Sequence, residues 1–309
     1  MKRFLFCAEF WEVWKYSHEF LKSYAGIPSG KWEREIQEAL YNGQRPEALK
    51  RPAQNVKRVA ASVRDKLSND SWHILGRMEI GSVDEHPGHL IQISEAYELV
   101  NEVILTMSAF SGLALESMTR GMGWRFMDMG RRIERAGYMI SLLQSLFSVR
   151  GKPDGNDLEA LLEVADCTIT YHARYRTTFH LEPIVDLLLL DELNPRAIGF
   201  QLASLMDHVE ALPQSNTRFL RSMEEKIALS LSTQLRLADI DELMAISRKG
   251  SFDVINRLLG DLKKGIQEFA DLITQHYFSR VETEKQLGNF RDEIMAKNRF
   301  SIRTPRIEI

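Results

Sequence analysis

Acidic and basic side chains crowd among aromatic and aliphatic ones between Trp124 and Ala136, in the run WRFMDMGRRIERA. At helical spacing Asp128 stands three and four residues before Arg131 and Arg132, and Arg131 three before Glu134, so acid and base meet on neighbouring turns. The chemistry this permits is ion pairing, and it has two uses. As structural glue, Arg131, Glu134 and Arg135 fix the register of packed helices, and losing one buried partner costs about 3–5 kcal/mol because the other charge is stranded. As a binding site, Arg131 and Arg135 clamp a carboxylate or phosphate bidentately, while Glu134 serves as a base or amine-binding group. Trp124 and Asp128 complete this candidate set, and Gly130 would let another backbone come close.

A second constellation follows in TYHARYR, from Thr170 to Arg176, where helical spacing puts Tyr171, Arg174 and Tyr175 on one face with His172 and Arg176 beside it. These side chains either line a second wall of a polar pocket or bridge helices as amphipathic packing groups. Asp186 sits inside the apolar run IVDLLLL, from Ile184 to Leu190, and a carboxylate there calls for a buried cation; Arg131, Arg135 and Arg174 are the candidates. DELNPR, from Asp191 to Arg196, reads as a helix end followed by an Asn194 cap with Pro195 at the first helical position. His86 and His89 have H-x2-H spacing, but they stand in a loop-like stretch with no cysteine or second pair nearby, so no metal site is expected. Glycine-rich phosphate loops, the serine nucleophile elbow and paired Glu-x2-His motifs are missing from the sequence, and no cofactor is expected.

The elements that must position these groups are helices. Apolar residues recur every three to four positions, as in Phe10, Val13, Trp14 and Ser17, in Val56, Val59, Ala60 and Val63, in Ile133, Gly137, Ile140 and Leu143, and in Leu258, Leu262, Ile266 and Phe269. Pro and Gly gather in GIPSG, DEHPGH and RGKPDG, where helices should break. An all-α fold follows, with helices of about 15–30 residues packed as an antiparallel bundle-like array. At 309 residues, 44% hydrophobic and 27% charged, the chain holds enough apolar material for a substantial core. A net charge of -3 gives no bulk attraction to nucleic acid or anionic lipid. Only Cys7 and Cys167 are present, too few for a disulfide framework, which fits a reduced cytoplasm. Glu9 and Glu12 interrupt the apolar opening before a signal-peptide core forms, and the apolar run from Ile184 to Leu190 is far shorter than a membrane span needs.

An internal repeat is also legible. The stretches from Pro46 (PEALKRPAQNV) and from Pro195 (PRAIGFQLASL) align at an offset of 149, being 195 minus 46. The expected domain is one helical unit over 1–280, with diverged halves at about 1–110 and 111–280 and an extension over 281–309. Carried back by the same offset, the motif around Glu134 falls before Met1, so the first half lacks its motif helix, through either a late start or a lost copy. A missing helix leaves an apolar surface that another segment or a second protein must cover.

W-x5-G-R-x2-E-R (Trp124, Gly130, Arg131, Glu134, Arg135), then YHARY from Tyr171 and LLLLDELNPRAI from Leu187, together resemble the bacterial alpha-E domain family of helical proteins. Weaker likeness runs from VRDKLSNDSW at Val63 to about Phe278. Two departures stand out: members usually open with another G-R-x2-E-R helix, and they carry an A-R-E-N-A-R-like strip where this chain reads VKRVAA from Val56. The resemblance implies a gene context of circularly permuted ATP-grasp proteins and transglutaminase-like proteases, hence a peptide or amide-bond system. The expected role is a non-catalytic helical partner of such a protein, presenting a peptide or amino-acid ligand. An enzyme of amide chemistry using Glu134 with Arg131 and Arg135, and a structural homo-oligomeric scaffold, are the alternatives.

Overall fold

The computed structural model describes residues 32–42, 48–78, 80, 92–147, 152–176, 178–212, 221–245 and 252–279. Cys7, the periodic stretch at Phe10 to Ser17, Pro46, the His86 and His89 pair and the extension over 281–309 lie outside them. Every regular element among the described residues is a helix. In chain order these are α1 (Trp32–Tyr41), α2 (Lys50–Ser62), α3 (Asn69–Arg77), α4 (Ile93–Ser117), α5 (Met122–Phe147), α6 (Gly155–Val164), α7 (Thr168–Tyr175), α8 (Leu181–Val185), α9 (Ile198–Glu210), α10 (Met223–Arg236), α11 (Ile240–Leu243) and α12 (Asp253–Ile273). The fold is all-α.

The helix starts follow local chemistry. Ser68 accepts from the Ser71 amide at the head of α3, and Asp154 and Ser222 form capping boxes with Asp157 and Glu225 ahead of α6 and α10. Helices α4, α5 and α12 have 25, 26 and 21 residues, within the expected range, whereas the other nine described helices fall short of it, from 4 residues in α11 to 14 in α10. Between Gly155 and Val185 the elements are shorter than expected, 10, 8 and 5 residues, because the chain turns twice through left-handed residues, Asp166 (φ 53°) and Arg176 (φ 50°).

α8 continues into one wide π-helical turn, Asp186–Leu190, in which the Asp191 amide reaches the Asp186 carbonyl at 3.0 Å. The wide turn leaves the Leu187 carbonyl to the buried Asn194, whose amide donates to it at 2.8 Å. Asn194 also accepts from the Arg196 amide at 3.0 Å. This side chain therefore closes a turn instead of capping a helix at Pro195, and α9 begins three residues later, at Ile198. The demand of the π turn for a donor outweighs the local N-cap signal.

Two hydrophobic cores result. One gathers α5 to α12 around Met129, Ile140, Leu143, Leu187, Leu259 and Phe269; the other gathers α1 to α4 around Val56, Leu75, Val103 and Phe110. α5 belongs to both: Phe126 and Met129 face the first, while Met127 and Trp124 pack on the second. The charged motif thus stands on the helix that joins the cores.

Helix α4 is a longer apolar feature than the run Ile184–Leu190. From Ser94 to Ser117 it is long and apolar enough, by length and composition, to cross a membrane, alone among the described helices. It carries Glu95, Glu98 and Glu102, however, and seats Ala96, Val103, Met107, Phe110 and Ala114 in the core formed with α1 and α3. One face of the helix is thus packed on the core, and 28% of its most apolar window is buried.

Candidate functional site

Asp128 is the centre of the motif. It is 3% exposed, and the positions three and four residues on bring two guanidiniums to it: Arg132 Nε donates at 3.0 Å to Oδ2, and Arg131 stands 3.7 Å from Oδ1. A third partner comes from α9, where His208 Nε2 lies 2.8 Å from Oδ2. Because the carboxylate only accepts, the ring must carry its proton on Nε2. Arg132 reaches on to Gln201 Oε1 at 3.3 Å and lies 5.1 Å over the Phe200 ring, and Gln201 donates to the Pro195 carbonyl. Trp124 meets His208 edge-on at 5.2 Å and has the Arg120 guanidinium 4.3 Å above its ring. One buried carboxylate, two arginines, a histidine and a glutamine therefore pin α5 to α9.

Burial alone would raise the Asp128 carboxyl, but the His208 hydrogen bond and the Arg132 and Arg131 charges prevail and hold it well below the usual 3.8. Around it the field is positive: burial and the guanidiniums of Arg131, Arg132 and Arg196 push Arg135 down to about 9, which leaves it charged at neutral pH. Arg196 binds Asp166 at the rim. Glu134 and Arg135 are half-buried and Gly130 is buried on the same helix.

Tyr171, Arg174, Tyr175 and Asp186 make a second, separate group. Tyr171 is fully buried; its hydroxyl donates to the Thr178 carbonyl and accepts from the His180 amide, each at 3.0 Å, so it stitches the turn after α7. Tyr175 donates to Asp186 at 2.5 Å, and Arg174 binds Asp191 and lies 4.0 Å from Asp186. The side chain of Asp186 is 38% exposed. The expectation of a buried carboxylate with a buried cation is corrected: the π turn swings Asp186 to the edge of the apolar run, and its closer partner is a phenol. Of the three arginines expected beside it, Arg174 is the one present.

His208 and Gln201 were missed in the sequence. Their signal is a pair of polar residues seven apart in IGFQLASLMDHVE, in register with the buried Ile198, Leu202, Leu205 and Val209, which places both on the face that meets α5. The Asp128–His208 pair resembles a base with its orienting acid, but His208 Nδ1 is buried and makes no hydrogen bond. No three His, Cys, Asp or Glu side chains among the described residues are grouped to hold a metal ion. Cys167 is a free, buried thiol whose ionisation burial pushes up, the opposite of an activated nucleophile.

The comparisons with known proteins follow the same residues. The family model described as "a predicted alpha-helical domain with a conserved ER motif" matches residues 7–278, a span in which E-R occurs at Glu33–Arg34 and at Glu134–Arg135. The chain belongs to the Alpha-E family. Similar curated proteins are an uncharacterized protein of Mycobacterium bovis and uncharacterized proteins of two Mycobacterium tuberculosis strains, each 29% identical over 255 residues. The match covers 81% of this chain and 28% of the length of those relatives. No solved structure matches.

Proposed function

We propose that this Alpha-E chain is a non-catalytic, cytoplasmic helical partner protein of an amide-bond-forming or peptide-trimming system, docking on an ATP-grasp-type or transglutaminase-like protein. The carrying observation is the structural use of the motif's buried carboxylate: Asp128 and His208, 3% and 6% exposed, hold α5 against α9, with Glu134 and Arg135 half-buried beside them. The relatives add support, since an Alpha-E unit filling 28% of a longer chain works beside other polypeptide.

The repeat reading supports one choice of docking face. Helix α1 (32–41) and the α8 segment with its π turn (181–190) are both ten residues long and lie 149 apart, being 181 minus 32. Helices α2 (50–62) and α9 (198–210) are both thirteen long and lie 148 apart. At that second offset Gln201 and His208 fall on Ala53 and Ala60, so α2 carries no polar partners at the positions that α9 uses to hold Asp128 and Arg132. In the second half the long helix α12 is covered by α5. In the first half α4 leaves a face open, with Tyr97, Ile104, Leu105 and Leu115 exposed over about 27 Å of helix. An apolar partner helix fits that face.

Leu105 and Leu115 are 60% and 52% exposed, so Leu105→Glu with Leu115→Glu should leave the Tm of the isolated chain unchanged. The same double variant should lose co-elution with the ATP-grasp-type or transglutaminase-like gene neighbour that wild type retains. A chain that binds neither neighbour, or a double variant that binds as wild type does, contradicts the proposal. A fall in Tm of the isolated double variant would show that the chain's own residues cover the face.

A further inference from the structure

On the side of Trp124 that joins the α1–α4 core, a cavity of about 350 Å³ opens between the turn after α2, the head of α3 and the α4–α5 connection. Its apolar wall is Val63, Leu67, Met118, Trp124 and Met127; its polar edge is Lys66, Ser68, Ser117 and Thr119. The remaining lining residues are Gly121 and Gly123. Neither glycine is forced on the chain: neither has its φ in the left-handed range that disfavours a side chain, and a Cβ added to either meets nothing within 4 Å. Gly123 even lies in the first turn of α5, where almost any other residue favours the helix more. The effect of these glycines is to keep the cavity open.

The lining defines what fits. An aromatic and aliphatic wall takes a branched aliphatic or aromatic group, and a volume at the small end of ligand cavities admits one residue-sized body. Lys66 is the one charged lining residue among the described residues. It pairs with Asp65, its chain neighbour, at 2.6 Å, but both side chains are more than half exposed, and such a pair is weak enough to yield to a ligand anion. The ring of Trp124 already bears Arg120, which adds positive charge near the wall. We infer that this cavity binds a carboxylate attached to an apolar side chain, as in an N-acylated amino acid or the C-terminal residue of a peptide. It deepens the partner-protein reading by naming the class of ligand presented, and it rests on that reading only for the ligand's purpose.

The test uses the isolated full chain, so its failure is separable from failure to bind a protein partner. N-acetyl-L-leucine, its amide and the tripeptide Ala-Ala-Leu are titrated by calorimetry. The acid is expected to bind at least about tenfold more tightly than the amide, and Lys66→Met is expected to abolish that preference. Gly123→Leu is expected to fill the cavity and abolish binding while Tm holds or rises. A tripeptide that binds more tightly than the N-acetyl acid marks a peptide terminus as the ligand; the reverse marks the free acyl amino acid. No binding of either acid at millimolar concentration, equal binding of acid and amide, or unchanged binding by a well-folded Gly123→Leu overturns the inference.

Discussion

Asp128→Ala is expected to unfold the domain more readily than any other single truncation on α5, by about 3–5 kcal/mol, or a fall in Tm of about 10 °C. The reason is what it leaves behind. Arg131 and Arg132 are about one-sixth exposed and His208 less than a tenth, so removing the shared carboxylate strands cationic and donor groups away from water. Because the folded carboxyl is held below its ordinary value of 3.8, the stabilisation is fully present above that pH and is lost as pH falls through it toward the folded value. Wild type should therefore melt progressively lower on acidification below about pH 4, whereas Asp128→Asn, already weaker at neutral pH, should show a flatter acid limb. Differential scanning calorimetry across pH reads both. An Asp128→Ala protein that melts with wild type would mean that the network does not join α5 to α9.

Gly199→Ala carries the second large effect, and its origin is backbone geometry. A Cβ there would lie 2.5 Å from the Leu190 carbonyl oxygen and 3.0 Å from its carbon, atoms of the π turn that cannot swing aside as a side-chain tip can. Either α9 must move off the turn or the turn must rewind, at a cost of about 1–3 kcal/mol. In contrast, Gly137→Ala, also on a helix but with nothing within 4 Å of the added Cβ, should stabilise by about 0.4–1 kcal/mol. Equal melting of the two variants would contradict the close approach.

These two residues also show what was legible in the sequence. The helical class was readable from spacing, and Val56, Val59, Ala60 and Val63 are all buried as their period implied. Within α5 the pairing of Asp128 with Arg131 and Arg132 was readable too, because partners three and four residues apart need no tertiary knowledge. His208 lies eighty residues from Asp128, and only packing brings it there. The π turn was hidden for a different reason. IVDLLLL has the composition of an ordinary buried helix, and the widening that moves Asp186 outward and hands the Leu187 carbonyl to Asn194 depends on where α9 presses at Gly199. The uncovered face of α4 escaped a reading built on uninterrupted apolar runs, since Glu95, Glu98 and Glu102 break the run without covering Leu105 or Leu115.

Whether the motif supplies chemistry or only structure is decided at Glu134. Glu134→Gln keeps volume and hydrogen bonding while removing charge and basicity, so it separates the two roles where Glu134→Ala does not. The most direct measurement is product formation by the reconstituted partner system with this variant, alongside its melting curve. A non-catalytic partner is expected to support the wild-type rate with Glu134→Gln as long as the protein is folded. A Glu134→Gln chain that melts as wild type does yet yields no product would contradict it.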